Sequence, residues 1–418
     1  MIEIPKGTKD LLPQDSYKWH YLEEKVRQVT KKYNVKEIRT PIFEHTELFL
    51  RGIGNSTDIV NKEMYTFLDK GERSITLKPE GTAGVARSFI ENGIFNNPQP
   101  TKMYYLSPIF RYENPQAGRL RQHHQFGVEY YGSDTPKSEL EVISIAADFL
   151  RSVGLEDIVL HINSIGCSEC RKKYNQALRD YIQPRLKDMC GDCNRRFTTN
   201  PLRILDCKVD LCQNELKDRP QLQDFLCEDC KQHFETLLKL LDASNINYVV
   251  DRNVVRGLDY YTRTVFEFIA NVNGVGSVGV VCGGGRYNHL VEELGGPQTP
   301  AVGFGMGLER LLMVMEMTGK QIKEENRVQV YIAKHPMTNS YKDIEIAKIL
   351  RDKGIVCEVD LLDRSLKAQF KYANKINAKY VFVLGEEEIA NNIMTVKDME
   401  VGEEQKVPFD KLLDIFGR

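Results

Sequence analysis

Two stretches of this 418-residue sequence place polar side chains where a small ligand could be held. In His123-His-Gln-Phe-Gly-Val-Glu-Tyr-Tyr131, strand alternation puts Gln125, Gly127 and Glu129 on one face and Phe126, Val128 and Tyr130 on the other. The polar face then offers an amide and a carboxylate across a glycine gap, where a ligand could lie against the backbone. Upstream, Tyr105-Leu-Ser-Pro-Ile-Phe-Arg-Tyr-Glu113 sets Arg111 and Glu113 on one face of a second strand, and the turn between the two carries Arg119 and Arg121. An exposed polar face of an antiparallel sheet would give the same pattern, so the pair alone does not decide between ligand and solvent.

Further segments add chemistry. Pro79-Glu80-Gly81-Thr82 supplies a carboxylate and a hydroxyl that could grip an ammonium group. Arg256-Gly-Leu-Asp-Tyr-Tyr261 brings an arginine and two tyrosines to the start of a strand, and Gly283-Gly-Gly-Arg-Tyr-Asn288 closes another with three flexible residues. Ala301-Val-Gly-Phe-Gly-Met-Gly-Leu-Glu-Arg-Leu311 enters a helix from a glycine-rich stretch. Glycines allow close approach to a ligand, and Arg310 adds positive charge at a helix start that already favours anions. The segment does not fit G-x-x-x-x-G-K-[ST] and has no parallel βαβ context, so nucleotide binding here needs another scheme.

Eight of the ten cysteines lie between Cys167 and Cys230, including three Cys-x-x-Cys pairs at 167/170, 190/193 and 227/230, with Cys207 and Cys212 between. That spacing suits tetrahedral zinc, and in a reducing compartment it argues against disulfides.

The elements that must position these residues fall into three regions. Up to about Leu160 helices alternate with strands: Ser16 to Tyr33 is a helix with Trp19, Leu22, Val26 and Val29 on one stripe, Val85 to Glu91 another helix, and Met103–Glu113 with His123–Tyr131 a strand pair. Residues 167–245 read as a cysteine-rich, mostly helical insertion, with amphipathic stripes at Lys172–Leu186 and Gln232–Ala243. Strands resume at Thr264–Ala270 and Gly276–Cys282, joined by a turn at Asn273-Gly274. Residues 1–166 and 246–320 thus form a discontinuous α+β domain on a mostly antiparallel sheet. From 327 to 418 a β-α-β-α-β alternation (strands Val328–Ala333, Val356–Leu361 and Lys379–Leu384; helices Ser340–Lys353 and Leu366–Asn377) predicts a doubly wound α/β domain.

Lys and Arg total 57 against 59 Asp and Glu, a net charge of −2 that neither advertises nor excludes a nucleic-acid partner. No run approaches the roughly 20 apolar residues that span a bilayer, and the first residues lack a secretory layout, so a cytoplasmic location is expected.

Taken together and in order, the segments resemble the class II aminoacyl-tRNA synthetases, and specifically the histidyl-tRNA synthetases. Lys36-Glu-Ile-Arg-Thr-Pro-Ile-Phe-Glu44 is similar to the first class motif, Phe110-Arg-Tyr-Glu113 with its turn to the second, and Gly305-Met-Gly-Leu-Glu-Arg310 to the third. Arg256–Tyr261 and Gly283–Tyr287 resemble the two histidine-specific signatures. The resemblance covers nearly the whole chain and implies ATP-dependent activation of L-histidine and its transfer to the 3′ end of tRNA(His), by a homodimer whose last domain binds the anticodon. It implies that Glu80, Thr82 and Gln125 hold the α-ammonium of histidine and that Glu129 binds the imidazole, with Gly81, Tyr260, Tyr261 and Tyr287 completing the pocket. Arg111 and Arg256 would contact the α-phosphate, Arg310 the terminal phosphates, and Glu113, Arg119 and Arg121 adenine, phosphates or the acceptor stem, with magnesium accompanying ATP. His123 stands where the family often has an aromatic residue that stacks on adenine. Relatives fold the insertion without an obligatory metal, which leaves structural zinc open. The alternative function is a catalytically inactive, synthetase-like regulatory subunit of histidine biosynthesis, although such paralogues tend to lose the arginine at position 256 and the anticodon-binding domain.

Overall fold

The computed structural model describes residues 1–54, 57, 59–116, 118–270, 279–324 and 328–417, with position 206 described by its backbone alone. They form two compact units, Met1–Ile322 and Lys323–Arg418.

The main sheet of the first unit has eight strands: β1 (Lys36–Glu37), β2 (Thr101–Phe110), β3 (Gln122–Tyr131), β4 (Ile158–Ser164), β5 (Tyr248–Val250), β6 (Thr262–Ala270), β7 (Val280–Arg286) and β8 (Ala301–Gly307). Their spatial order is β1-β2-β3-β8-β7-β6-β4-β5. Only the outermost pairs, β1 with β2 and β4 with β5, run parallel. The expected mostly antiparallel sheet is therefore borne out. The turn expected at Asn273-Gly274 lies outside the described residues.

Alternation sorts the two faces of this sheet. Phe126, Val128 and Tyr130 of β3, Phe304 and Met306 of β8, and Phe266 and Phe268 of β6 enter one core with helix α1 (Pro13–Lys32), which contributes Trp19, Leu22, Val26 and Val29. Burying a Val, Leu, Phe or Met side chain in this core stabilises the fold by roughly 1.5–3 kcal/mol. Helix α1 opens on a proline in its first turn and ends before Asn34, whose φ of 55° supplies a left-handed C-terminal stop. Helix α2 (Thr82–Glu91) lies on the other face, with Val85 and Phe89 in a second core that includes Tyr105 and Tyr131.

Between β4 and β5 the chain runs through the cysteine-rich insertion: α4 (Ser168–Ile182), α5 (Gly191–Thr199), α6 (Asp210–Glu215) and α7 (Glu228–Ala243), linked by short 3-10 turns. Helix α7 joins the first core through Leu237 and Leu241. It also sends His233 Nε2 to within 2.6 Å of Glu139 Oε1, on helix α3 (Pro136–Ser152). Glu139 is fully buried against Arg286 at the end of β7, and Arg286 Nη1 also donates to the carbonyl of Ser133 at 2.9 Å. Burial pushes the Glu139 carboxyl up, but the adjacent Arg286 outweighs it and holds the group down at about 2. A buried pair of this kind costs about 3–5 kcal/mol to break from one side, so it pins the end of β7.

The second unit carries a five-stranded sheet of β9 (Val330–Lys334), β10 (Cys357–Val359), β11 (Tyr380–Leu384), β12 (Ile393–Asp398) and β13 (Glu404–Pro408), in the order β10-β9-β11-β12-β13. The first three are parallel, and β12 and β13 add an antiparallel edge. Helix α9 (Lys342–Asp352) covers one face through Ile346, Ala347 and Leu350, while Ala373 of α10 (Leu366–Lys375) packs into a separate core on the sheet.

Candidate active site

The glycine-rich segments sit differently from their sequence reading. Gly283–Gly285 lie within β7 and do not close it, and Gly303, Gly305 and Gly307 belong to β8. Register aligns them: Gly283 pairs with Gly305 and Gly285 with Gly303, while across the next interface Gly303 pairs with Glu129, Gly305 with Gly127 and Gly307 with Gln125. The result is a lane of backbone along the sheet face, bordered by polar side chains. A Cβ on Gly303 would overlap the Glu129 carboxylate, and one on Gly305 would overlap the Gln125 amide. Arg256 lies over Gly283 in the same way. These glycines first make room for side chains that lie flat across the sheet.

At one end of the lane is a buried chamber. Glu129 is completely buried and accepts hydrogen bonds from the hydroxyls of Thr82, at 2.7 Å, and Tyr287. Burial pushes its carboxyl up to about 8, against the opposing pull of those two donors. Tyr260 completes an aromatic wall, its ring centroid 4.7 Å from that of Tyr261 and 5.5 Å from that of Tyr287. Glu80 is also buried, and its two oxygens accept the N–H groups of Thr82 and Ala83 at 2.8 and 2.7 Å, capping the start of α2. Gly81 faces the Tyr105 ring so closely that a side chain there would collide with it. Tyr105, which the sequence reading missed, donates its hydroxyl to Gln125 Oε1 at 3.1 Å. The signal was available: Tyr105 stands directly across from Gly127, and a ring opposite a glycine fills the gap the glycine leaves.

Gln125 also opens onto a cavity lined by Arg111, Glu113, Arg119, His123, Arg256 and Arg310. Arg111 lies just beyond β2, which ends at Phe110 and not at Glu113. Its Nε donates to the Pro79 carbonyl at 2.7 Å, tying it to the Glu80 segment. Glu113 lies 3.4 Å from Arg119 Nη1 and 4.0 Å from Arg111 Nη1. Arg121 is turned elsewhere: its guanidinium stacks 3.8 Å from the Tyr112 ring centroid and its Nε donates to the Glu113 carbonyl at 3.2 Å. Arg310, from helix α8 (Leu308–Met317), donates to the Val280 carbonyl at 2.8 Å. Glu309 beside it accepts the His124 backbone N–H at 2.8 Å.

Arg256 has an unusual backbone, with φ of 57° in the left-handed region. Its guanidinium pairs with Glu267, another residue the sequence reading missed, across the sheet from Gly283. Burial opposes the Arg256 charge, but the Glu267 carboxylate outweighs it and raises the group above the ordinary arginine value. His123 is the opposite case. Burial, with Arg111 and Arg310 nearby, lowers its imidazole to about 3, so it stays neutral.

A cationic cavity therefore adjoins, through Gln125, a buried, carboxylate-lined aromatic chamber. The family model described as histidyl-tRNA synthetase matches residues 7–311. The chain belongs to the histidyl-tRNA synthetase family. An anticodon-binding-domain model matches residues 329–418. The chain is 52% identical over 418 residues to a histidine–tRNA ligase of Clostridium botulinum, covering 99% of both chains. It is 53% identical over 412 residues to one of Thermoanaerobacter pseudethanolicus, covering 99% of this chain and 98% of that one. The crystal structure of apo Staphylococcus aureus histidyl-tRNA synthetase is similar over the whole of both chains, with a TM-score of 0.84 at 40% identity. Full-length similarity to ligases supports the enzyme over the regulatory-subunit alternative. Among the described residues no helix is long and apolar enough to cross a membrane.

Proposed function

We propose that the chamber binds histidine and the cavity binds ATP, so that the enzyme forms histidyl-adenylate and then charges tRNA(His). One observation carries this reading: Gln125 borders the cavity of Arg111, Arg256 and Arg310 while accepting a hydrogen bond from Tyr105 over the chamber. Glu129 receives the imidazole, with Tyr260, Tyr261 and Tyr287 around it and Gly81 admitting the Tyr105 ring to the pocket. Glu80, Thr82 and Gln125 hold the α-ammonium; Glu80 does so while still capping α2. A pocket that pairs both imidazole nitrogens rejects apolar analogues by roughly 10⁴-fold or more, because its own polar groups would be left unpaired.

The histidine carboxylate oxygen attacks the α-phosphorus and the bond to pyrophosphate breaks, giving the mixed anhydride. Arg111 and Arg256 meet the charge that builds on the α-phosphate oxygens, and Arg310 meets the leaving pyrophosphate. Glu267 fixes Arg256 in place, so little reorganisation is needed as charge develops. Neutral His123 offers adenine a flat face. Glu113 and Arg119 border the phosphates, Glu113 would be the carboxylate available to the magnesium that accompanies ATP, and Arg121 supports this turn from behind. The terminal ribose hydroxyl of tRNA then attacks the activated carbonyl, AMP leaves, and the hydroxyl proton passes to solvent. Residues 329–418 would read the anticodon, and the active species is a cytoplasmic homodimer.

Replacing Arg256 tests the assignment. Arg256→Ala should raise the activation barrier by about 3 kcal/mol, as loss of one oxyanion donor does. That is about a 10²-fold loss in histidine-dependent ATP–pyrophosphate exchange. An unchanged exchange rate in a folded variant removes Arg256 from the reaction.

A further inference from the structure

Eight cysteines play no part in the chemistry above, yet the fold gathers them into two tetrads. Cys167, Cys170, Cys227 and Cys230 form one, and Cys190, Cys193, Cys207 and Cys212 the other, with all four sulfurs of each within 4.8 Å of one another. None is in a disulfide. Sulfur separations of 3.5 Å (Cys167 to Cys170), 4.0 Å (Cys167 to Cys227) and 3.8 Å (Cys190 to Cys207) are too long for a disulfide. They bracket the edge of a tetrahedron of thiolates about one zinc ion, about 3.8 Å for a Zn–S bond of about 2.3 Å. A multinuclear iron–sulfur cluster, whose thiolates bind separate irons, needs a wider set.

The surroundings suit thiolates. Cys167, Cys190 and Cys227 each stand at the N-cap of a helix, where the backbone carries partial positive charge. Backbone N–H groups point at sulfur as well: that of Cys227 at Cys170 Sγ, 3.1 Å away, and that of Cys190 at Cys212 Sγ, 3.2 Å away. Such donors orient metal-bound sulfur from outside the coordination shell.

We propose that this chain binds two structural zinc ions, one in each tetrad. Binding converts four thiols at each site to thiolates and releases their protons to solvent. The first ion closes the base of the insertion, joining the start of α4 to the start of α7 across 60 residues. The second clamps the loop between Cys193 and Cys207, and that loop reaches the catalytic signature. Its Asn200 donates to Asp259 at 2.9 Å, and its Arg203 to the backbone carbonyl of Arg256 at 3.5 Å. The second ion is thereby linked to the strained Arg256 turn, although neither ion touches substrate.

The test is elemental analysis of the full chain purified without chelator, with and without added zinc. About two equivalents of zinc per chain are expected. Reconstitution with cobalt should give the intense visible bands of tetrahedral thiolate coordination. A Cys190→Ser/Cys207→Ser variant and a Cys167→Ser/Cys227→Ser variant should each keep about one equivalent. Chelation of the wild type should lower its melting temperature by several degrees, and zinc but not magnesium should restore it. Less than about half an equivalent in both the purified and the zinc-treated wild type overturns the proposal. So does iron in place of zinc, or two equivalents retained in either variant. Should a variant fail to fold, the wild-type stoichiometry and cobalt spectrum decide alone.

Discussion

Glu129 is the residue whose environment has the clearest kinetic signature. Its carboxyl, raised to about 8 by burial, holds a proton at neutral pH. Free imidazole titrates near ~6.5. Between these values the chamber carries a proton and histidine does not, so the complex can share one proton without exchange with water. Above about 8 the carboxyl has ionised and the shared proton must come from solvent. The KM for histidine should then rise by up to about tenfold per pH unit. Below about 6.5 the ligand brings a surplus proton and KM should rise again. Pyrophosphate exchange measured across pH checks this, and Glu129→Gln should lose the alkaline limb. A wild-type KM that is level well above pH ~8 would place the titration elsewhere. His123 takes no part in either limb, because its imidazole, lowered to about 3, is neutral throughout.

Among the elements, β7 and β8 do most to shape the site, and they were also the hardest to read. Glycine has low strand propensity, so Gly283–Gly285 look like the end of a strand and Gly303–Gly307 like a loop before a helix. Only the neighbouring strands, each aligned through its register, reveal them as a lane kept clear for Glu129, Gln125 and Arg256. The β2–β3 pair was legible because its apolar and polar residues alternate cleanly. Glu267 and Arg203 were not, since each matters through a contact with the Arg256 turn that no local pattern marks. β12 and β13 were missed as well, lying beyond the alternation that marked the second unit. The lane makes Gly305→Ala informative. The added methyl would push the Gln125 amide off the sheet, so exchange activity should fall at least about tenfold. Overpacking of this kind costs about 1–3 kcal/mol in stability, leaving a folded variant to assay. Undiminished activity would mean that Gln125 does not need its present position.

For the molecule as a whole, the three-stranded sheet of Phe43–His45, Tyr65–Leu68 and Ser74–Leu77 matters most. It leaves Phe43, Phe67 and Leu68 exposed, beside an exposed Ile42. Exposed apolar side chains of this size suit a contact surface, and they adjoin the segment that resembles the first class motif. With the proposed homodimer formed through this sheet, Phe43→Asp with Phe67→Asp should halve the mass measured by analytical ultracentrifugation. A mass unchanged from the wild type would move the interface elsewhere.

The reach of α7 into the Glu139–Arg286 pair has a consequence for modularity. Residues 167–245 form one continuous stretch between two strands of the sheet, the layout of a detachable module. Yet His233 is part of the wall around a carboxylate sealed from water, and that carboxylate anchors the strand leading to Tyr287. A chain trimmed of α7 would open that wall to solvent and loosen the chamber from behind, so α7 is structurally part of the sheet domain that the insertion interrupts.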